Sequence, residues 1–323
     1  MSASEFSLID RYFAAHDLHR PDVALGIGDD CALLVPPAGQ QLVVTMDTLV
    51  ADVHFFAAAD PEGLGHKALA VNLSDLASMG ATPAWATLAL TLPKANEDWL
   101  ERFCRGLFAL ADRYDVQLVG GDTTHGPVTT LTIQAHGFVP PGSALRRDGA
   151  QPGDGVYVTG TPGDAGLALA AAYGKALVVP EGRVYAQQRL ERPEPRLAEG
   201  VALRGVASAA IDISDGLAQD LGHILERSGV GARLEVERLP LSPALAASLD
   251  WDAAIVTALA SGDDYELCFT VPPERVAWLE SVARGWECRC TRIGVITAEP
   301  GLRLVRADGS AFRLERLGYD HFG

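Results

Sequence analysis

Apolar residues recur at helical spacing near the start of the chain, where Phe6, Ile9, Tyr12 and Phe13 predict a short amphipathic helix. Gln41 to Met46 is β-branched and apolar with poor alternation, and predicts a buried strand ending at Asp47. Glu62 to Met79 returns to helical period through Leu64, Lys67, Ala68, Val71 and Leu76. A strand over Ala84 to Leu92 stops at Pro93, and a helix over Asp98 to Tyr114 places Leu100, Phe103, Leu107 and Leu110 on one face. Val116 to Val119 predicts a short strand running into Gly120-Gly121-Asp122, followed by a long one over Val128 to Val139.

Pro140-Pro141-Gly142 and the stretch Gly149 to Gly155 then break the pattern and mark a domain boundary, giving domains over 1–142 and 143–323. Beyond it, a strand over Val156 to Thr159 turns through Gly160-Thr161-Pro162-Gly163-Asp164-Ala165-Gly166 into an Ala/Leu-rich helix. Further strands are expected over Ser208 to Ile213, Arg233 to Val236, Tyr265 to Val271 and Cys290 to Ile296, with helices over Gly216 to Ser228 and Pro273 to Ala283. Strands and helices mix in both halves, so the fold class is α+β or α/β in two domains rather than one large barrel. No fixed-period repeat and no low-complexity segment interrupts this reading.

Onto this frame fall short aspartate clusters punctuated by Gly, Ser or Thr. They are Gly28-Asp29-Asp30, Thr45-Met46-Asp47, Asn72-Leu73-Ser74-Asp75, Gly120-Gly121-Asp122-Thr123, Ile211-Asp212-Ile213-Ser214-Asp215-Gly216 and Ser261-Gly262-Asp263-Asp264. Several follow strand-like runs, where carboxylates beside glycines are well placed to converge on a hard cation. Oxygen ligands without a His/Cys cluster favour magnesium, and magnesium favours phosphate. One aspartate after a strand is ordinarily a turn or cap residue. Four such sites in one half, Asp29-Asp30, Asp47, Asp75 and Asp122, favour a shared metal site instead.

The chain has 323 residues, 48% hydrophobic and 21% charged, enough for two folded domains with substantial cores. A formal net charge of −16 argues against a nucleic-acid partner and against an anionic membrane surface. Bound divalent cations would reconcile that acidity with phosphate substrates, because they reverse the sign of a carboxylate-lined pocket. Five cysteines, an odd number with no framework spacing, predict reduced and mostly buried thiols in a cytosolic protein. Met1 to Asp10 lacks the apolar core of a signal peptide, and no apolar run reaches the length of a membrane span.

Other motifs are weaker or missing. Gly26-Ile27-Gly28 lacks the third glycine of a dinucleotide fingerprint, and no P-loop or protein-kinase signature occurs. Ser214 or Asp215 reads as the cap of the following helix, a role compatible with phosphate at the same helix N-terminus. Arg146-Arg147 reads either as a solvated basic turn or as a clamp on phosphate oxygens, and His54 either as a satisfied core histidine or as a site residue.

Together these segments resemble the thiamine-monophosphate kinase family along nearly the whole chain. The resemblance rests on Gly26-Ile27-Gly28-Asp29-Asp30-Cys31-Ala32, Thr45-Met46-Asp47-Thr48-Leu49-Val50, Val53-His54-Phe55 and the run from Gly65 to Ala81 containing Val71-Asn72-Leu73-Ser74-Asp75-Leu76. It continues through Gly120-Gly121-Asp122-Thr123-Thr124, Tyr157 to Asp164, Ile213-Ser214-Asp215-Gly216-Leu217, Gly262-Asp263-Asp264-Tyr265-Glu266-Leu267 and Gly318-Tyr319-Asp320-His321-Phe322. The wider superfamily includes aminoimidazole ribonucleotide synthetase, selenophosphate synthetase and a hydrogenase maturation factor. The Asp-Asp-Tyr-Glu-Leu segment and the C-terminal tail favour the thiamine enzyme.

The resemblance implies a two-domain fold like that of aminoimidazole ribonucleotide synthetase, with the N-terminal sheets of two subunits pairing across a dimer. The N-terminal domain would serve metal and ATP binding and dimerisation. The resemblance also implies ATP as co-substrate, several magnesium ions, thiamine monophosphate as acceptor and a cytoplasmic homodimer. By motif position, Asp30, Thr45, Met46, Asp47, Asp75, Asp122, Asp212 and Asp215 correspond to metal ligands. Gly121, Arg146 and Ser214 correspond to ATP contacts, and His54, Asp263 and Tyr319 to substrate contacts. Two departures stand out. Met46 replaces a hydroxyl residue, so any metal oxygen there is its backbone carbonyl, and Asp263 replaces a longer Glu. No catalytic base is expected, because a phosphate monoester with a second pKa of about 6 is already dianionic at neutral pH. The alternatives are another ATP-using synthetase or a metal-dependent phosphatase on the same fold, or a nucleotide sensor without turnover.

Overall fold

A computed structural model describes residues 5–16 and 18–320. His321 and Phe322 of the C-terminal motif therefore lie outside the described residues. Backbone contacts divide the chain into two units, Met1–Leu76 with Ala81–Gly142, and Ala77–Gly80 with Ser143–Gly323.

The first unit opens with α1 (Glu5–Ile9), which continues as a π-helical turn over Asp10–Ala14. Two short strands follow, β1 (Val23–Leu25) and β2 (Leu33–Leu34), paired antiparallel. Then come β3 (Gln41–Val50), α2 (Pro61–Ser78), β4 (Thr82–Leu92), α3 (Glu97–Arg113), β5 (Gln117–His125) and β6 (Thr130–Val139). The four long strands form one sheet in the order β3-β6-β4-β5, antiparallel except for the parallel pair β4–β5. Asn96 caps α3 by accepting the N–H of Trp99 at 3.3 Å. Helix α2 is buried on nearly all sides, which its mixed Ala, Leu, Val, Asn and Ser composition permits.

Strand β3 departs from expectation. It is an edge strand four residues longer than its apolar run, and it carries Asp47 in its interior. It is not buried on both faces: Leu42, Val44 and Met46 are 48, 49 and 61% exposed. Alternation explains the mismatch. Thr45 and Asp47 share the face turned to α2, whereas the apolar even positions share the open face. Strand β5 likewise runs through Gly120-Gly121-Asp122 instead of ending before it.

The second unit is a six-stranded sheet in the order β12-β9-β11-β7-β10-β8. Its elements in chain order are β7 (Gly155–Thr159), α4 (Asp164–Ala172), α5 (Arg183–Glu191), α6 (Leu197–Ala202), β8 (Ala209–Asp212), α7 (Leu217–Ser228), β9 (Gly231–Glu235), α8 (Pro243–Ser248), α9 (Trp251–Ala260), β10 (Leu267–Val271), α10 (Val276–Ala283), β11 (Cys290–Thr297) and β12 (Gly301–Val305). Only β12–β9 is parallel. The core includes Val156, Val158, Ile211, Leu217, Leu221, Ile224 and Ile293. Helices α5, α6, α8 and α9 and strand β12 were not anticipated. α5 is mostly charged and polar, and α6 and α8 are only six residues long, so neither periodicity nor length announces them.

All five cysteines are free. Cys104 and Cys268 are buried, Cys288 and Cys290 half-buried and Cys31 exposed, so fewer thiols are buried than expected. No described helix is long and apolar enough to cross a membrane.

Candidate active site

In the first unit the candidate carboxylates fall into two groups. Thr45 donates its hydroxyl to Asp75, and the side-chain amide oxygen of Asn72 accepts the backbone N–H of Asp47 at 3.1 Å. Asp47 and Asp75 stand side by side, both half-buried. Burial first, then the charge and hydrogen bond of Asp75, push the Asp47 carboxyl up to about 7. Two acids in one place cannot both ionise cheaply, and a divalent cation would relieve that repulsion.

Asp122 lies elsewhere in the sheet. Its row runs Thr48–Thr132–Ala89–Asp122, one position out of phase with the row Asp47–Ile133–Leu88–Gly121. The side chains of Asp47 and Asp122 therefore leave opposite faces, with β6 and β4 between their strands. The hairpin residues Val23, Ala32 and Leu34 pack against the cluster of Ala84, Trp85, Val119 and Phe138, and Asp30 is exposed in the turn between β1 and β2. Met46 projects from the open face. Gly121 is dictated by packing, since a Cβ there would stand 1.9 Å from the carbonyl oxygen of Leu88. His54 sits in the turn after β3, where its Nδ1 accepts the N–H of Val50 at 3.0 Å, so a neutral ring carries its proton on Nε2.

The second unit gathers its candidates more tightly. Beyond β8 and before β10 the two chains keep bonding. Ile213 N–H donates to Glu266 carbonyl at 2.8 Å, Tyr265 N–H to Ile213 carbonyl at 2.8 Å, and Asp263 N–H to Ser214 carbonyl at 2.9 Å. Asp263 and Tyr265 both adopt positive φ, 65° and 51°, a costly conformation for side-chain-bearing residues. The Tyr265 hydroxyl donates to the Asp263 carboxylate at 3.0 Å. Tyr319 then reaches the same loop, its N–H donating to the Asp215 carbonyl at 3.0 Å. Asp212, Ser214, Asp215, Asp263 and Tyr319 thus come together. Arg146 is engaged by Asp148 through a bidentate pair at 2.8 and 2.5 Å, which holds the Asp148 carboxyl below its ordinary range.

Two residues that the sequence reading missed hold this loop. Asp220, buried in the first turn of α7, accepts the backbone N–H groups of Ser214, Asp215 and Gly216 at 3.1, 3.1 and 3.0 Å. Burial pushes its carboxyl up to about 7 against the pull of those donors. Gln219 donates to the Tyr319 carbonyl at 2.8 Å and to the Asp215 carboxylate at 3.4 Å. An acid in the first turn of a helix that follows Ser-Asp-Gly was the available signal for Asp220.

The chain matches the family model for AIR synthase related protein, N-terminal domain, over residues 28–139, and that for the C-terminal domain over residues 151–306. It is 52% identical to thiamine-monophosphate kinase of Salmonella typhimurium, covering 100% of this chain and 99% of that protein. Its fold is similar to the crystal structure of thiamine-monophosphate kinase from Stenotrophomonas maltophilia, with TM-score 0.88, 50% identity and coverage of 97% of this chain and 99% of that one. It is also similar to the structure of AaThiL complexed with AMPPCP and TMP, with TM-score 0.77, 31% identity and coverage of 98% and 97%. By full-length similarity and by fold, this chain belongs to the thiamine-monophosphate kinase family.

Proposed function

We propose that this chain transfers the γ-phosphoryl group of ATP to thiamine monophosphate, giving thiamine diphosphate and ADP. The observation that carries the reading is the backbone bond from Tyr319 to Asp215, which joins the C-terminal segment to the Ser214–Asp215 loop in a chain 52% identical to such kinases.

The donor set fits magnesium. It is all oxygen, and the Asp47–Asp75 pair gains from a divalent charge. Asp30, Thr45, Met46 through its carbonyl, Asp47, Asp75 and Asp122 would hold the ions in the first unit, with Asp212 and Asp215 in the second. Among the described residues no three His, Cys, Asp or Glu side chains already form a cation cage. Magnesium commonly takes one or two carboxylates and completes its shell with water and substrate phosphate, so the sparse clustering is compatible with it. Once bound, it supplies charge screening between two phosphates and helps align them.

The chain's own residues bind and orient. Gly121, Arg146 and Ser214 contact ATP, with Arg146 exchanging Asp148 for phosphate oxygens, a fork-shaped match either way. Asp263 faces the cationic substrate, and the Tyr319 ring offers it a cation–π face. His54 presents its Nε2 proton to the substrate. The acceptor is a phosphate dianion and no residue serves as base. Catalysis is positioning and electrostatics.

In this reading residues 1–142 form the metal- and ATP-binding, dimerising domain and 143–323 the α/β domain. A second copy would cover the open face of Leu42, Val44 and Met46, giving a homodimer. ATP use and five free cysteines favour the cytoplasm. Incubation with ATP, magnesium and thiamine monophosphate should yield thiamine diphosphate, with thiamine inert as control acceptor. Release of inorganic phosphate alone would instead indicate a phosphatase.

A further inference from the structure

The second unit holds a cavity of about 760 Å³ that Ser214, Asp215, Asp263 and Tyr319 do not line. Such a volume suits a small organic ligand. One wall is ionic. Glu266, fully buried, receives Arg189 at 2.6 Å, Arg196 at 2.6 Å through both Nε and Nη2, and the Thr159 hydroxyl at 2.6 Å. Burial would raise its pKa, but the two guanidiniums outweigh that and hold the carboxyl below its ordinary range.

Two cations therefore share one carboxylate. Arg189 also donates Nη2 to the Asp264 carbonyl at 3.2 Å, yet its buried Nε has no acceptor. A buried donor left unmet is costly, and native structures seldom tolerate it. Asp164 does not fill the gap, because it accepts the hydroxyls of Thr161, Tyr185 and Ser242. Glu181, Glu287 and Arg289 also line the cavity but are exposed, where water screens them. An apolar wall also lines the cavity, built from Val179, Pro243, Ala244, Ala247 and the ring of Tyr185.

We infer that this cavity is a binding site for a small aromatic organic anion, its carboxylate on Arg189 and Arg196 and its ring on the Tyr185–Ala244–Ala247 wall. A single water could meet the orphan N–H but would leave that wall unused. The anion's second oxygen can bond Arg196 through Nη1, since Nε and Nη2 are held by Glu266. The site is separate from the phosphoryl-transfer residues and does not rest on that reading.

Calorimetry on the full chain, without ATP, magnesium or thiamine monophosphate, tests it with 2-naphthoate as probe and uncharged 2-naphthol as control. One saturable naphthoate site is expected, with naphthol at least about tenfold weaker. Arg189→Lys keeps the charge on Glu266 but removes the fork, and should weaken naphthoate about tenfold. Ala247→Trp, at an exposed position away from the ion network, should abolish binding while phosphoryl transfer persists. Absence of saturable naphthoate binding, equal binding of naphthol, or unchanged affinity in Ala247→Trp would each overturn the proposal.

Discussion

The backbone N–H of Tyr319 donates to the carbonyl of Asp215 at 3.0 Å, so the C-terminal segment is anchored on the loop that carries a candidate magnesium ligand. The anchor requires Gly318. A Cβ there would stand 2.7 Å from the same Asp215 carbonyl and 2.8 Å from Gln219 Cβ. Both backbone groups of Tyr319 are bonded to this loop and helix, its N–H to Asp215 and its carbonyl to Gln219.

Gly318→Ala should therefore lift the tail while leaving both cores intact. The Michaelis constant for thiamine monophosphate should rise about tenfold, with that for ATP and the melting temperature nearly unchanged. Tyr319→Ala should raise it comparably by removing the cation–π face, whereas Tyr319→Phe should retain most of the affinity. Equal Michaelis constants in Tyr319→Ala and wild type would remove the ring from the substrate site.

Asp47 and Asp75 give the clearest pH signature. The folded Asp47 carboxyl lies near 7, above the ordinary value near 4, so folding takes up a proton in that window. Stability of the metal-free protein should thus fall as pH rises from about 4 to 7, by at most about 1.4 kcal/mol per pH unit and less after solvent screening. Asp75→Asn removes the neighbouring like charge but not the burial that contributes most, so thermal melts in a chelator should become less steep across that range. The same variant should lose phosphoryl transfer by about a hundredfold or more. A near wild-type rate would dismiss the metal-site reading of this pair.

Much of this site was legible in the sequence because it is local. Ser214, Asp215 and Gly216 form one loop, and Asp263 stands three residues before Glu266 in a single segment. What the sequence concealed was the face each residue takes. Asp47 and Asp122 look equivalent in a list of motifs, but a one-residue phase difference in register sends them to opposite sides of the sheet. The run Gln41–Met46 read as a buried strand because hydrophobicity does not report what covers an edge. Asp220 escaped because its role is to hold three backbone N–H groups, a contact that no spacing rule announces.

Gly121 offers a structural test of the β4–β5 pair. A methyl group 1.9 Å from the Leu88 carbonyl oxygen cannot be accommodated without separating the two strands. Gly121→Ala should destabilise the first unit by about 2–3 kcal/mol. Denaturant titration would show a lowered midpoint, and ATP affinity should fall with it because Asp122 is the next residue. Gly120→Ala, where no atom lies within 4 Å of the new Cβ, is the matched control and should be tolerated.

Glu266 carries the largest expected stability effect. Both guanidiniums of Arg189 and Arg196 depend on it, and its side chain is inaccessible to solvent. Glu266→Ala leaves two buried cations without their carboxylate and should cost about 3–5 kcal/mol in denaturant unfolding. Glu266→Gln keeps the volume and some hydrogen bonds, so its cost should be smaller. The pH dependence separates charge from packing. Because the folded carboxyl lies below its ordinary pKa, its contribution is present above the ordinary glutamate range and is lost as pH falls through the folded value. Wild type should therefore lose stability on acidification more steeply than Glu266→Gln, with the two curves converging at low pH. Parallel curves would mean that the residue acts through shape alone.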